Sequence, residues 1–235
     1  MLAGSLMRSG YYFGPRLYPA RASNPKGFFE SPVVNSINEK LLQTVLPRRS
    51  YLSTRFSVST TPGHAQRWLA RVPLDRRVTV TPRLNRRIVE FTERCGFCYK
   101  DPRFSYTLDS WRVHAPDAAF ICVFRHPSRT VASILRECRD ARYLHTLRTS
   151  RDDALEVWRL MYLHVLRRHA TCGDWLFLHF DQLMSGDGLD SVQEFLGVAP
   201  DRSFPDASLA RATQSQPISR EIQQVYDELC ERARY

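Results

Sequence analysis

The chain has 235 residues, 43% hydrophobic and 25% charged, a balance that fits one domain with a buried core and excludes a disordered chain. No apolar run approaches the roughly 18 to 20 residues a bilayer crossing needs, and no basic segment leads into an apolar stretch and cleavage site, so a soluble, cytoplasmic protein is expected. The formal charge of +10 rests almost wholly on arginine, since lysine occurs only as Lys26, Lys40 and Lys100; scattered guanidinium groups suit a small polyanionic ligand better than nucleic acid.

Leu2 to Met7 reads as a helix ending near Gly10, followed over residues 11–30 by a loop of Gly, Pro and aromatic residues. Ser31-Pro32 opens a helix with proline at its first position, and Val33, Val34, Ile37, Leu41, Leu42 and Val45 supply its apolar stripe up to Pro47. Residues 48–62 are polar and without period, a loop or cap. Helices are expected near 63–72 and 84–94, the second stopped by Gly96, with a short strand from Phe97 to Tyr99 and a helix through Leu108 and Trp111. Ala118 to Phe124 is a continuous apolar run, the pattern of a strand buried on both faces of a parallel sheet. A helix follows from Ser128 to about Arg139, then a charged, flexible connection over 139–152 and an amphipathic helix from Asp153 to Arg168. Trp175 to Phe180 reads as a strand, Leu189 to Leu196 and Ile218 to Arg232 as helices. Strands alternating with helices give an α/β fold of three layers, a mostly parallel central sheet flanked by helices, over a single domain of residues 1–235.

Six cysteines include the pair Cys95-Gly-Phe-Cys98, but no second pair or histidine spacing completes a zinc set, and its glycine fits a helix stop. Reduced, mostly buried thiols are expected. No cluster of His, Asp or Glu has metal-ligand spacing, so no metal is implied.

In a parallel sheet, ligands gather at the carboxyl ends of the strands, where helix N-termini point. Arg125 follows one such strand, and Ser133 lies about one and a half turns into the next helix, where guanidinium, hydroxyl and helix dipole would meet one anion. Lys100-Asp101-Pro102-Arg103 follows another; its cations suit charge on a transferring group, with Asp101 as proton acceptor, though a strand-end salt bridge would read the same. In Asn24-Pro25-Lys26-Gly27-Phe28-Phe29-Glu30, the acid precedes a helix start, and it is either a general base or a helix N-terminal carboxylate.

Asn24 to Glu30, the helix through Asn38 and Leu41, Lys100 to Arg103, then Phe124-Arg125-His126-Pro127 with Ser133 and the late His179-Phe180-Asp181-Gln182-Leu183 recur in this order in PAPS-dependent sulfotransferases. The chain resembles their bacterial branch, which acts on carbohydrates, lipids or natural products. The resemblance covers most of the chain and implies a P-loop-like fold and transfer of a sulfuryl group from PAPS (3′-phosphoadenosine 5′-phosphosulfate) to a hydroxyl acceptor by in-line displacement, leaving PAP. It implies that Arg125 and Ser133 bind the 3′-phosphate, with Arg103 counted among the nucleotide-binding residues, and that Glu30, Lys100 and Asp101 are catalytic, Glu30 ranked first as base. Pro102 stands where animal cytosolic members have a catalytic histidine.

Relatives carry a strand and an Arg-Ser-Gly-Thr-Ser-like phosphosulfate loop just before the helix matching Leu2 to Met7. Met1 stands where that loop would end, so the expectation is a sequence that starts late rather than a pseudo-enzyme; Arg8-Ser9-Gly10 follows a helix and is no substitute. Two alternatives stand beside transfer. One is a non-catalytic nucleotide-binding protein on the same scaffold. The other is a P-loop-type nucleotide kinase, for which no Gly-x-x-x-x-Gly-Lys-[Ser/Thr] occurs in the chain.

Overall fold

The computed structural model describes residues 1–21, 23–47, 58–209 and 216–235. Its elements are α1 (Leu2–Ser5), α2 (Pro32–Leu42), α3 (Pro82–Thr92), α4 (Phe104–Arg112), β1 (Phe120–Phe124), α5 (Pro127–Asp140), α6 (Arg151–His164), β2 (Trp175–His179), α7 (Phe180–Ser185), α8 (Asp187–Leu196) and α9 (Arg220–Ala233). Helix starts follow local chemistry. Pro32 and Pro82 open α2 and α3, where no N–H is required. Ser150 and Asp153 form a reciprocal capping box on α6, with bonds of 3.0 and 2.9 Å.

β1 and β2 run parallel, Phe120 opposite Trp175 through Phe124 opposite His179, joined by the crossover of α5 and α6. Alternation along the strands gives each face its own core. Cys122, Phe124 and Phe177 pack with Val131, Trp158, Leu166, Val225 and Leu229 from α5, α6 and α9 and the turn after α6. Ile121, Val123, Leu176 and Leu178 pack with Leu6, Phe13, Leu183, Leu189 and Val192 on the other side. Helices therefore cover both faces, as the unbroken apolar run from Ala118 foretells. A further apolar cluster joins α2, α3 and α4 through Val34, Ile37, Leu41, Leu84, Ile88, Phe91 and Trp111. Full burial of side chains of this size is worth about 1.5–3 kcal/mol each.

Several expectations give way. The sheet has two strands among the described residues, and the protein is mostly helical. Phe97 makes one isolated parallel bridge to Tyr12 rather than a strand. The helix expected at 63–72 is a single 3-10 turn, Arg67–Leu69, because the preceding backbone is bent around a buried carboxylate. The connection at 139–152 is no loose linker: Leu144 is fully buried, Leu147 nearly so, and Ser59 bridges to Leu147. Of the loop expected at 48–62, residues 48–57 lie outside the described residues. The helix read as Asp153 to Arg168 ends at His164 and passes into a wider π turn, Val165–His169, closed by the Ala170 N–H on the Val165 carbonyl at 2.8 Å. Its gain is local: His169 reaches Asp109 at 3.0 Å and the Ser105 carbonyl at 2.9 Å.

The six cysteines are free, and burial pushes Cys98 and Cys122 up to about 12. No helix among the described residues is long and apolar enough to cross a membrane.

Candidate active site

Two polar clusters contain the residues singled out in the sequence. The first begins at a strained turn. Gly27 has φ 99°, and Phe29 takes φ 56°, a left-handed conformation uncommon for an aromatic residue. The Phe29 ring is held against Phe204, centroids 5.4 Å apart. This turn delivers Glu30 to the end of α2, where Ser31 and Gly14 meet so closely that a Cβ at Gly14 would lie 2.6 Å from the Ser31 hydroxyl. Glu30 is nearly buried and bonds on both oxygens: Oε1 pairs with the Lys100 ammonium, and Oε2 accepts from the Asn35 amide at 2.8 Å. Lys100 is half-exposed, so the pair has one open side. Behind it, Ser31 Oγ and Asn35 Oδ1 are buried without partners.

Asp101 and Arg103 stand directly behind Lys100 but face inward, with side chains 0% and 5% exposed. Asp101 Oδ1 accepts from the Arg103 backbone N–H and guanidinium, both at 2.9 Å, and Oδ2 from Asn38 at 2.9 Å. Burial pushes the Asp101 carboxyl up while Arg103 and Asn38 pull it back; three donors on two oxygens suit the carboxylate. Arg103 also donates through Nε to Glu39 at 2.8 Å, and despite burial Asp101 and Glu39 hold its pKa up. Glu39 further accepts from the Arg67 guanidinium at 2.9 Å and from the backbone N–H groups of Ala65 and Arg67 at 3.0 and 3.1 Å. That curl of backbone puts Ala65 at φ 64°. Asn38 Oδ1 accepts from Thr107 at 2.9 Å and Trp111 at 2.8 Å, tying α2 to α4.

The second cluster lies at the carboxyl end of β1. Arg125 follows the strand, its guanidinium 4.7 Å from the centre of the Phe180 ring and its Nε buried without a partner. Burial lowers its pKa, and Arg129 and Arg136 lower it further against the opposing pull of Asp181. Ser133 is exposed on α5, and no hydrogen bond joins it to Arg125. Arg129 and Arg136 lie four residues before and three after it, so all three share one helix face. Asp181 pairs with Arg129 at 3.3 Å, the one carboxylate in ion-pair contact with these three arginines among the described residues. The first helical N–H of α5 is not free as expected: the His126 ring accepts from the Ser128 N–H at 3.3 Å.

The structure thus joins Glu30 to Lys100 and Asp101 to Arg103, and shows no hydrogen bond between Arg125 and Ser133. Sequence reasoning missed Glu39 and its partner Arg67, the trace of Glu39 being a charged residue inside an apolar helix. Most of these residues fall within a stretch that a family comparison matches. A profile of the sulfotransferase family matches residues 30–200. The chain belongs to the sulfotransferase family. That makes it a PAPS-dependent transferase, and the family implies a P-loop-like fold. No curated protein and no solved structure matches this sulfotransferase.

The cationic end of β1 fits a polyanionic co-substrate by its own chemistry, since an unpartnered buried guanidinium nitrogen among further arginines is costly unless an anion meets it. Among the described residues, no group of three or more His, Cys, Asp or Glu is placed to hold a metal ion.

Proposed function

We propose that this sulfotransferase moves a sulfuryl group from PAPS to the hydroxyl of a carbohydrate, lipid or natural-product acceptor, with Glu30 as general base. The observation that carries this reading is the Glu30–Lys100 pair, set beside a strained residue and open on one side. PAPS supplies the sulfuryl group when bound. Glu30 takes the proton of the acceptor hydroxyl at a carboxylate oxygen, held in place by the Asn35 amide. Lys100, released from Glu30 as the acceptor enters, turns its ammonium toward the charge that develops on the transferring group. Asp101 and Arg103 work by position: saturated with each other, Asn38 and Glu39, they fix the backbone that carries Lys100. Arg125 and the Ser133 face hold the nucleotide phosphate, with Arg129 and Arg136 adding charge.

Calorimetric titration with PAP, beside ATP and AMP, tests the nucleotide half. PAP should bind in preference to both, and Arg125→Ala should weaken it by about 10- to 100-fold, the value of a charge-assisted contact of about 1.5–3 kcal/mol. Equal binding of ATP, or an indifferent Arg125→Ala, would sink the assignment.

A further inference from the structure

One exposed arginine, Arg21, has no part in this mechanism. Arg21 is exposed, and its guanidinium lies 5.8 Å from the centre of the Phe28 ring and 5.9 Å from that of Tyr143. No carboxylate pairs with it among the described residues; Glu137, which acts on the Tyr143 hydroxyl, makes no ion pair with Arg21. A guanidinium packed against ring faces keeps its charge and its planar fork of donors, the shape that meets a carboxylate, sulfate or phosphate through paired hydrogen bonds.

Several contacts tie Arg21 to the segment that carries Glu30, Phe28 standing two residues before it. Arg21 and Asn24 exchange both backbone hydrogen bonds, at 3.2 and 2.8 Å, which fixes the turn that carries it. Three residues earlier, the Tyr18 N–H donates to the Glu30 carbonyl at 3.0 Å. Tyr143 is itself tied down, its carbonyl accepting from Gln66 at 2.6 Å. Tyr18 and Tyr143 remain over a third exposed. Arg21 thus lies against aromatic faces on the segment that leads to Glu30, without a carboxylate partner among the described residues.

We infer that the acceptor is an anion: a hydroxyl compound carrying a carboxylate, sulfate or phosphate apart from the hydroxyl that reacts, with Arg21 reading that charge. This rests on the sulfotransferase reading of Glu30 and adds the class of acceptor to it. Tyr18 and Phe28 offer faces for a sugar or phenyl ring, and Arg21 sets the orientation that brings the hydroxyl to Glu30.

The test is calorimetry on PAP-saturated protein with matched acids and neutral partners: methyl glucuronide against methyl glucoside, its 6-sulfate and 6-phosphate, and 4-hydroxyphenylacetate against its methyl ester. At least one acid should bind about tenfold tighter than its neutral partner, Arg21→Gln should erase that margin, and Arg21→Lys should keep part of it. Comparison of the carboxylate, sulfate and phosphate shows which anion is preferred. PAP affinity, unchanged in both variants, reports that they fold. Acids that bind no better than neutral partners, absence of any binding included, overturn the inference, as does a margin that survives Arg21→Gln. Failure of the wild-type chain to bind PAP overturns the sulfotransferase reading instead; the acids are therefore also titrated without PAP, where Arg21-dependent binding stands on its own.

Discussion

A non-glycine residue held in the left-handed region costs about 1–3 kcal/mol, and Phe29 bears that cost one residue before Glu30. The Phe204 contact helps retain it, and the turn fixes where the carboxylate emerges. Glu30→Gln preserves shape and the Asn35 contact but removes the base. Transfer to a competent acceptor should slow by about 10²- to 10⁴-fold, while PAP affinity stays unchanged. Transfer assays with labelled PAPS read the first, calorimetry the second; a rate within a few-fold of the parent would assign the proton elsewhere. At this scale the sequence offers candidate residues and not their partnerships. Glu30 stands out by its place before a helix and Arg125 by its place after a strand, whereas the strand expected before Lys100, Asp101 and Arg103 is one isolated bridge. That Asp101 and Arg103 turn inward while Lys100 turns outward depends on Asn38 and Glu39, over 60 residues away in the chain. No local pattern carries that information.

Elements were legible where one period dominated. The apolar run ending at Phe124 is a strand with both faces covered, and Ser31-Pro32 opens a helix. Errors cluster where a side chain overrides the period. The 63–72 segment curls around Glu39 rather than winding into a helix, and the helix from Arg151 widens at Val165. α7, absent from the sequence reading, starts because the His179 ring accepts from the Asp181 N–H and Gln182 reaches back to the His179 N–H. The π turn has its own pH signature. Against the upward push of burial, His169 and Arg168 hold Asp109 down to about 2. A carboxyl depressed in the folded state stabilises above its unfolded value and loses that contribution as pH falls through its folded value. Asp109→Asn should therefore lower stability at neutral pH, with the deficit shrinking between 3.8 and about 2. Urea melts across that range check it; a deficit constant with pH would mean the carboxylate charge is not what matters. Asp109 is one-third exposed, so solvent screens part of the effect.

For the whole molecule, a formal charge of +10 and a guanidinium cluster at the end of β1 mean that a nucleotide polyanion is drawn in before any contact forms. The association rate of PAP should fall steeply as ionic strength rises from about 20 to about 200 mM, because the Debye length shortens to below about 10 Å. Stopped-flow binding measures this, and a flat dependence would show that the field does not steer the ligand. The same abundance of arginine shapes the interior. Glu39, nearly buried, answers two guanidinium groups and two backbone N–H groups drawn from residues 65–67 and 103. Removing one member of a buried charge set costs about 3–5 kcal/mol, against a total stability of about 5–15 kcal/mol. A lineage that altered Glu39, Arg67 or Arg103 singly would pass through descendants that barely fold. These three positions should therefore be inherited as a unit, exchanged together or not at all.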